Sequence, residues 1–204
     1  PRFWEASSGN VLIGGINVKD IATDELMRNV SFVFQNSRLF KTSILDNIRY
    51  GRPDATISEV SRAAEMAQCS EIINRLPQGL NTRIGAGGTY LSGGEQQRIV
   101  LARAFLKDAP IIVLDEATAF ADPENEHLIH GTLRRLTRGK TVLTIAHRLN
   151  SVTDADEIIV MDGGKVAERG SHDDLVAAGG LYSRMWNEYR QSVRWTLNGK
   201  EAKR

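Results

Sequence analysis

Apolar residues near the start of the chain fall into short runs that predict strands. Val11–Ile13 and Ile16–Val18 flank the pair Gly14-Gly15, and this pattern predicts a β-hairpin because both glycines accept positive φ. A short helix is predicted near Asp24 to Arg28. It precedes the apolar run Val30–Phe34, which has the length and composition of a strand.

The middle of the chain changes to helical spacing. From about residue 43 to 78, apolar residues recur three or four positions apart: Ile57, Val60, Ala64 and Ala67. Pro77-Gln78-Gly79 closes this region, since proline and glycine together favour a turn.

Strands and helices alternate after Asp108. Strands are predicted near Ile111, Thr141 and Glu157, and their alternation with helices indicates a parallel sheet with crossover helices. Gly139, just before the strand at Thr141, is typical of a helix C-terminal glycine.

The last fifty residues contain a tight turn, a capped helix and a polar tail. The turn is predicted at residues 162–165, and Ser171 caps a helix in which His172 belongs to the first turn. From Gln191 to Arg204 the chain has few apolar residues and several charges, so we expect a frayed or disordered tail.

Composition indicates an ordinary globular protein. Of 204 residues, 41% are hydrophobic and 25% are charged, enough for one substantial core. The net charge of +1 gives no electrostatic reason to expect nucleic acid as a partner. The single Cys69 cannot form an internal disulfide. No apolar run approaches the roughly 18 to 20 residues of a spanning helix, and no signal peptide is visible.

The first candidate for chemistry is the segment Leu91-Ser92-Gly93-Gly94-Glu95-Gln96-Gln97-Arg98. Ser92 followed three residues later by Glu95 predicts a capping box, which places the two glycines in the first turn of a helix. Backbone N–H groups there have no partner within the helix, and the helix dipole favours an anion such as a phosphate. An ordinary cap or turn is the alternative for Ser-Gly-Gly taken alone.

The second candidate is an apolar run that ends in two acids. Ile111–Leu114 predicts a buried parallel strand, and Asp115 and Glu116 then lie at its carboxyl end, where open α/β sheets bind ligands. One carboxylate can hold Mg²⁺ and the next can orient or deprotonate water.

Together these two segments resemble the signature and Walker B motifs of ATP-binding cassette (ABC) ATPases. Three further residues follow in the order of that family: Gln35 matches its Q-loop glutamine, Asp122 its D-loop aspartate and His147 its switch histidine. Taken singly, each also has a structural interpretation. A histidine at a strand end is commonly structural, and Asp122 before Pro123 is typical of a helix N-cap.

The resemblance implies an α/β fold of the P-loop NTPase class. Its expected parts are a partial parallel sheet core, a small β-hairpin region and an inserted α-helical subdomain at about residues 43–107 that carries the signature. The ATPase domain is expected over residues 1–190, followed by the tail at 191–204.

The resemblance also implies cofactors, site residues and partners. We expect ATP and Mg²⁺, with Asp115 and Gln35 near the metal and with Glu116, His147 and Gln35 as catalytic residues. The expected nucleotide contacts are Ser92, Gly93, Gly94, Glu95 and Asp122, of which the first three serve the opposite subunit. The expected partners are a second cassette, in a homo- or heterodimer, and a transmembrane domain fused upstream, at the cytoplasmic face of the plasma (inner) membrane.

The family's Walker A motif is not found in these 204 residues. A P-loop needs G-x-x-x-x-G-K-[ST], but the position five before Gly139 in Gly139-Lys140-Thr141 is Arg134. Pro1–Glu5 resembles the end of the helix that follows the P-loop. We therefore expect that the sequence begins just after Walker A and that these residues by themselves do not hydrolyse ATP.

Residues 38–53 resemble cassettes of exporter-fold transporters, in which this segment packs near the transport domain. Two segments depart from that pattern: Ala86 replaces an expected acidic residue, and Ala119-Phe120-Ala121 replaces the usual D-loop residues. These changes indicate a divergent subgroup, for which siderophore-handling systems are one possibility.

Two alternative functions are compatible with parts of this sequence. Chromosome-maintenance and DNA-repair ATPases insert a long coiled coil before the signature, whereas Gln35 and Leu91 are only 91 − 35 = 56 positions apart with no sustained heptads. The other alternative is a non-catalytic dimerising module that lends its signature loop to a partner cassette.

Overall fold

The computed structural model describes residues 2–34, 38–85, 88–115, 123–146 and 149–201, with only the backbone described at 123–127 and 193–201. The chain forms two compact units, residues 1–145 and 146–204.

The first unit begins with the predicted hairpin. Strands β1 (Leu12–Ile13) and β2 (Ile16–Asn17) pair antiparallel, and Gly14 and Gly15 have φ of 57° and 80°. The predicted helix is α1 (Thr23–Asn29), which leads directly into β3 (Val30–Val33).

The helical region contains α2 (Ile44–Arg49), α3 (Ile57–Met66), α4 (Ser70–Arg75), a short 3-10 helix (Gly79–Asn81) and α5 (Gly93–Lys107). The predicted apolar face of α3 packs inward, since Val60 and Ala64 are almost fully buried. Helix α5 is buried along most of its length and packs against α2, α3, α6 and β3.

Three parallel strands form the sheet of the first unit. They are β3, β4 (Ile111–Asp115) and β5 (Thr141–Ile145), in the order β3-β4-β5, with α6 (Pro123–Thr137) crossing between β4 and β5. The parallel arrangement predicted for the strands near Ile111 and Thr141 is confirmed. The glycine predicted to end the helix before β5 is also confirmed, since Gly139 has a φ of 73°.

The second unit has its own small core. Strands β6 (Ile158–Asp162) and β7 (Lys165–Gly170) pair antiparallel through the predicted turn at Gly163 and Gly164. The strand predicted near Glu157 is β6. Among the described residues it pairs antiparallel with β7 and is not part of the parallel sheet. Two helices follow, α7 (His172–Ala177) and α8 (Leu181–Glu201).

Helix α8 differs from the expected tail, because the backbone remains helical from Gln191 to Glu201. No proline interrupts this stretch, and extending a helix that has already started is easier than nucleating one. The start of α8 is held by Glu168, whose carboxylate accepts the backbone N–H groups of Leu181 and Tyr182. None of the described helices has both the length and the apolar character that crossing a bilayer requires.

Strand β5 exposes apolar side chains at the edge of the described sheet. Leu143 and Ile145 are 56% and 49% exposed, and Val142 is 37% exposed. An exposed apolar strand edge is a template for association with another chain.

We therefore predict that the 204-residue chain self-associates through β5. Replacing Leu143 by Lys should raise the monomer fraction, because a charge at a strand edge opposes pairing. Sedimentation velocity measures this effect. Leu12→Lys is the matched control, since Leu12 is also 56% exposed but lies in the hairpin. A wild-type chain that sediments as a monomer and melts cooperatively would contradict the prediction.

Candidate functional site

The predicted capping box at the start of α5 is confirmed. The N-cap Ser92 has extended backbone geometry, and its hydroxyl accepts the N–H of Glu95 at 3.3 Å. In return, the Glu95 carboxylate accepts the N–H of Ser92 at 2.8 Å. We call residues 92–95 the signature loop.

The signature loop leaves two backbone donors available. The capping box uses the N–H groups of Ser92 and Glu95, whereas those of Gly93 and Gly94 lie in the first turn, where N–H groups have no partner within the helix. Ser92 and Gly93 are exposed, whereas Gly94 and Glu95 are buried. Because α5 has 15 residues, the full helix dipole adds to these donors, and the arrangement suits an anion.

An open cavity of about 190 Å³ lies beside the signature loop. Its lining residues are Glu71, Ile72, Arg75, Ser92, Glu95, Arg98 and Leu128. Arg75 at the end of α4 forms an ion pair with Glu95. Arg98 donates to the backbone carbonyl of Gln68 at 3.0 Å, between α3 and α4.

Electrostatics favour the ionised form of Glu95. Burial raises the pKa of Glu95, but the hydrogen bond from the Ser92 amide and the contact with Arg75 outweigh burial and hold this pKa below its ordinary value of 4.5. The carboxylate is therefore charged at neutral pH and acts only as an acceptor.

Asp115 is the last residue of β4 and is half-buried. It pairs with Ile145 of β5, and the preceding Leu114 pairs with Val33 of β3, so the three strands end at one edge of the sheet. A partly accessible carboxylate at this edge fits Mg²⁺, which binds through one or two carboxylates together with phosphate oxygens. The described side chains contain no group of three or more His, Cys, Asp or Glu that could hold a metal ion. A metal at Asp115 would therefore need phosphate oxygens as further ligands.

Four of the predicted site residues lie outside the described residues: Gln35, Glu116, Asp122 and His147. The strands that precede Gln35, Glu116 and His147 in sequence are β3, β4 and β5. The roles assigned to these four residues therefore remain predictions. The departures at Ala86 and at residues 119–121 also lie outside the described part of the chain.

The structure adds an exposed aromatic pair that sequence reasoning noted only as part of residues 38–53. Phe40 and Tyr50 are 51% and 56% exposed, and their ring centroids lie 4.4 Å apart. The buried Asn47 fixes Phe40 by accepting its N–H at 2.8 Å and donating to its carbonyl at 3.0 Å. Arg103 of α5 lies over the Phe40 ring and donates to the carbonyl of Asn47.

Sequence reasoning missed Arg75, Asn47 and Arg103. Their partners lie 20, 7 and 56 residues away, so no local spacing predicted them. An asparagine at a core-facing position of a helix was the one available signal for Asn47, because a buried amide needs partners.

Comparison with protein families gives a match to the model described as ABC transporter, over residues 2–119. Among curated proteins, the mycobactin import ATP-binding/permease protein IrtA of Mycolicibacterium thermoresistibile is 47% identical over 191 residues, or 94% of this chain and 21% of that protein. The ATP-dependent lipid A-core flippase of Legionella pneumophila is 43% identical over 186 residues, or 91% of this chain and 32% of that protein.

A solved structure shows the same fold. The structure of a bacterial Atm1-family ABC exporter with ATP bound matches with a TM-score of 0.84 and 42% identity, over 92% of this chain and 33% of that chain. The chain thus spans about a fifth to a third of the length of these relatives.

The lowered pKa of Glu95 predicts a pH-dependent stability. Because the pKa is lower in the folded than in the unfolded chain, the charged carboxylate stabilises the fold above pH 4.5 and this stabilisation is lost as the pH falls through the folded-state pKa. Glu95→Gln keeps a residue that can close the capping box but removes the charge.

Urea denaturation from about pH 7 to about pH 3 tests this dependence. The free energy of unfolding should be higher for wild type than for Glu95→Gln at neutral pH, and the difference should shrink below pH 4.5. Glu65→Gln on the exposed side of α3 controls for the loss of one carboxylate. A difference that stays constant down to the lowest pH would contradict the prediction.

Proposed function

The chain belongs to the ABC transporter family, and from this premise we propose that it is the part of a membrane transporter that binds and hydrolyses ATP as a dimer. The observation that carries the proposal is the signature loop. Its capping box is closed, while the N–H groups of Gly93 and Gly94 lie in the first turn of α5 without a partner within the helix.

On one side of the proposed dimer, the signature loop binds the γ-phosphate of ATP that a second cassette holds. The amides of Gly93 and Gly94, the Ser92 hydroxyl and the helix dipole meet the phosphate charge. Because α5 is buried in the core, these donors are already in place before the nucleotide arrives. Such preorganised donors stabilise the charge that develops during phosphoryl transfer.

On the other side, the carboxyl edge of the sheet handles the metal and the water. Asp115 and Gln35 would hold Mg²⁺, which when bound neutralises charge on the phosphate oxygens. Glu116 would accept a proton from the attacking water, and His147 would contact the γ-phosphate. The aligned ends of β3, β4 and β5 support this proposal, because these residues follow those ends within one or two positions.

The aromatic pair Phe40 and Tyr50 supports a transmembrane domain as the further partner. Phe40 is held by Asn47 and Arg103, and Tyr50 packs against the Phe40 ring, so the pair offers an exposed apolar surface in which Phe40 loses little side-chain freedom on binding. A loop of the membrane domain could place an apolar side chain against these rings. Because Arg103 over the Phe40 ring belongs to α5, which begins at the signature loop, such a contact would link transport to that loop. This arrangement puts the chain at the cytoplasmic face of the membrane.

A dimerising module that only lends its signature loop to a partner cassette is the second candidate function. The same amides of Gly93 and Gly94 favour it, since they require no catalytic group of this chain. Replacement of Glu116 separates the two candidates: loss of turnover favours the hydrolysing domain, and unchanged turnover favours the dimerising module.

We predict that the chain supplies its signature loop in trans. The test mixes the chain with a partner cassette that is complete except for a defective signature. The chain should then restore part of the partner's ATPase activity. Gly93→Asp should prevent this rescue, because a carboxylate near the γ-phosphate costs on the order of 1 to 4 kcal/mol at partly screened separations.

Gly131→Asp is the matched control for this rescue. Gly131 is exposed in the middle of α6, and a side chain there meets no atom within 4 Å. It should leave the rescue intact. Rescue that persists unchanged with Gly93→Asp would remove the signature loop from phosphate binding.

We further predict that Glu116→Gln abolishes most turnover in a cassette completed with a Walker A segment. The amide keeps the shape of the side chain but cannot accept a proton, so kcat should fall by ~10² to 10⁴-fold while nucleotide binding is retained. Steady-state ATPase assays and nucleotide titration measure the two effects. Near-normal turnover would assign Glu116 no catalytic role and favour the second candidate.

A further inference from the structure

The cap of the signature loop depends on a residue from another helix. Both carboxylate oxygens of Glu95 are in use: Oε2 accepts the Ser92 N–H at 2.8 Å, and Oε1 contacts the guanidinium of Arg75. Arg75 is the last residue of α4, twenty positions before Glu95. The group that closes the capping box is therefore itself held from outside α5.

Helix α4 is a fixed support for this contact. Cys69 just before it and Ile72 within it are buried in the core at 0% and 1% exposure. Its amino end follows Gln68, whose carbonyl accepts a hydrogen bond from Arg98 of α5. Two arginine contacts, at Gln68 and at Glu95, thus join α4 to the first two turns of α5.

Arg75 also balances a charge that opposes the proposed ligand. Glu95 is ionised and lies in the first turn of α5, beside the amides assigned to the γ-phosphate. An uncompensated carboxylate there would repel the phosphate. The Arg75 side chain is 59% exposed and that of Glu95 is 11% exposed, so the guanidinium lies on the solvent side of the carboxylate.

Resting on the function proposed above, we propose that Arg75 is a positioning residue for the signature loop. It holds the Glu95 carboxylate against the Ser92 amide and neutralises its charge. The guanidinium need not touch the nucleotide. Its effect passes through Glu95, so removing Arg75 should matter only while residue 95 carries a charge.

The trans-rescue assay tests this dependence by measuring the chain concentration that gives half-maximal rescue. Arg75→Met should raise this concentration by about two- to fivefold, the range of a partly exposed ion pair. Arg75→Lys should retain part of the effect. In the Glu95→Gln background, Arg75→Met should cause no further change, since the amide carries no charge to neutralise.

Two controls separate this effect from a general loss of charge. Glu71→Gln removes a different carboxylate that lines the same cavity and should not reproduce the effect of Arg75→Met. Arg62→Met removes an exposed arginine from α3 and should leave the rescue unchanged. Equal effects of Arg75→Met with Glu95 and with Gln at position 95 would overturn the proposal.

Hydrogen exchange of the Ser92 amide in the chain alone tests positioning without nucleotide. Arg75→Met should speed this exchange, because Oε2 of Glu95 is then held less firmly, whereas Arg62→Met should not. Unchanged exchange at Ser92 would overturn the positioning role. A wild-type chain that gives no rescue would overturn the proposed function instead, and faster exchange in Arg75→Met would still support the positioning of the loop.

Discussion

The burial of α5 is the constraint on which the rest of the first unit depends. Ile99, Leu101 and Ala102 are fully buried, and their neighbours along the helix are nearly so, since α5 is surrounded by α2, α3, α6 and β3. A helix that is apolar on most sides cannot rotate or slide without opening cavities in the core. Its first turn is the exception, because Ser92 and Gly93 are exposed. The core thus fixes the position of the amide groups of Gly93 and Gly94 at this end of the helix.

The same helix also determines where the acidic end of β4 lies. Asp108 ends α5 in a left-handed conformation, with φ of 51°, and its carboxylate pairs with Lys140 at 2.7 Å, just before β5. Lys107 donates to the carbonyl of Val30 at the start of β3. These contacts fix the amino ends of β3 and β5 beside β4. Because the three strands are parallel, Asp115 at the end of β4 then lies at the opposite, carboxyl edge of the sheet. The positions of the signature loop and of the carboxyl edge of the sheet therefore follow from one helix and the strand after it.

Local patterns predicted the parts of the fold that depend on local chemistry. The glycine pair gave the hairpin, the Ser-x-x-Glu spacing gave the capping box, and the apolar run before Asp115 gave a parallel strand. Contacts between distant segments were not predictable in this way. Arg75 contacts Glu95, 20 positions away, and Arg103 contacts Asn47, 56 positions away. In the sequence alone, neither arginine can be distinguished from an arginine on a solvated helix face. The continuation of α8 was missed because low hydrophobicity was taken as disorder, whereas a helix that has already started extends at low cost, and Glu168 holds the start of α8.

The exposed donors and the groups that hold them follow different chemical requirements. In the proposed function a phosphate approaches the backbone closely, which requires small side chains such as the glycines at 93 and 94, and few other residues would serve there. The groups that hold the loop need only supply a charge or a hydrogen bond at the right distance, and several residue types at several positions can do so. Glu95 belongs to both groups. Its place in the capping box follows from the sequence spacing, whereas the partner of its charge, Arg75, is brought to it only by the fold. In the proposed phosphate-binding loop, the residues that would meet the ligand are therefore predictable from sequence, whereas the residues that support the loop are visible only in the structure.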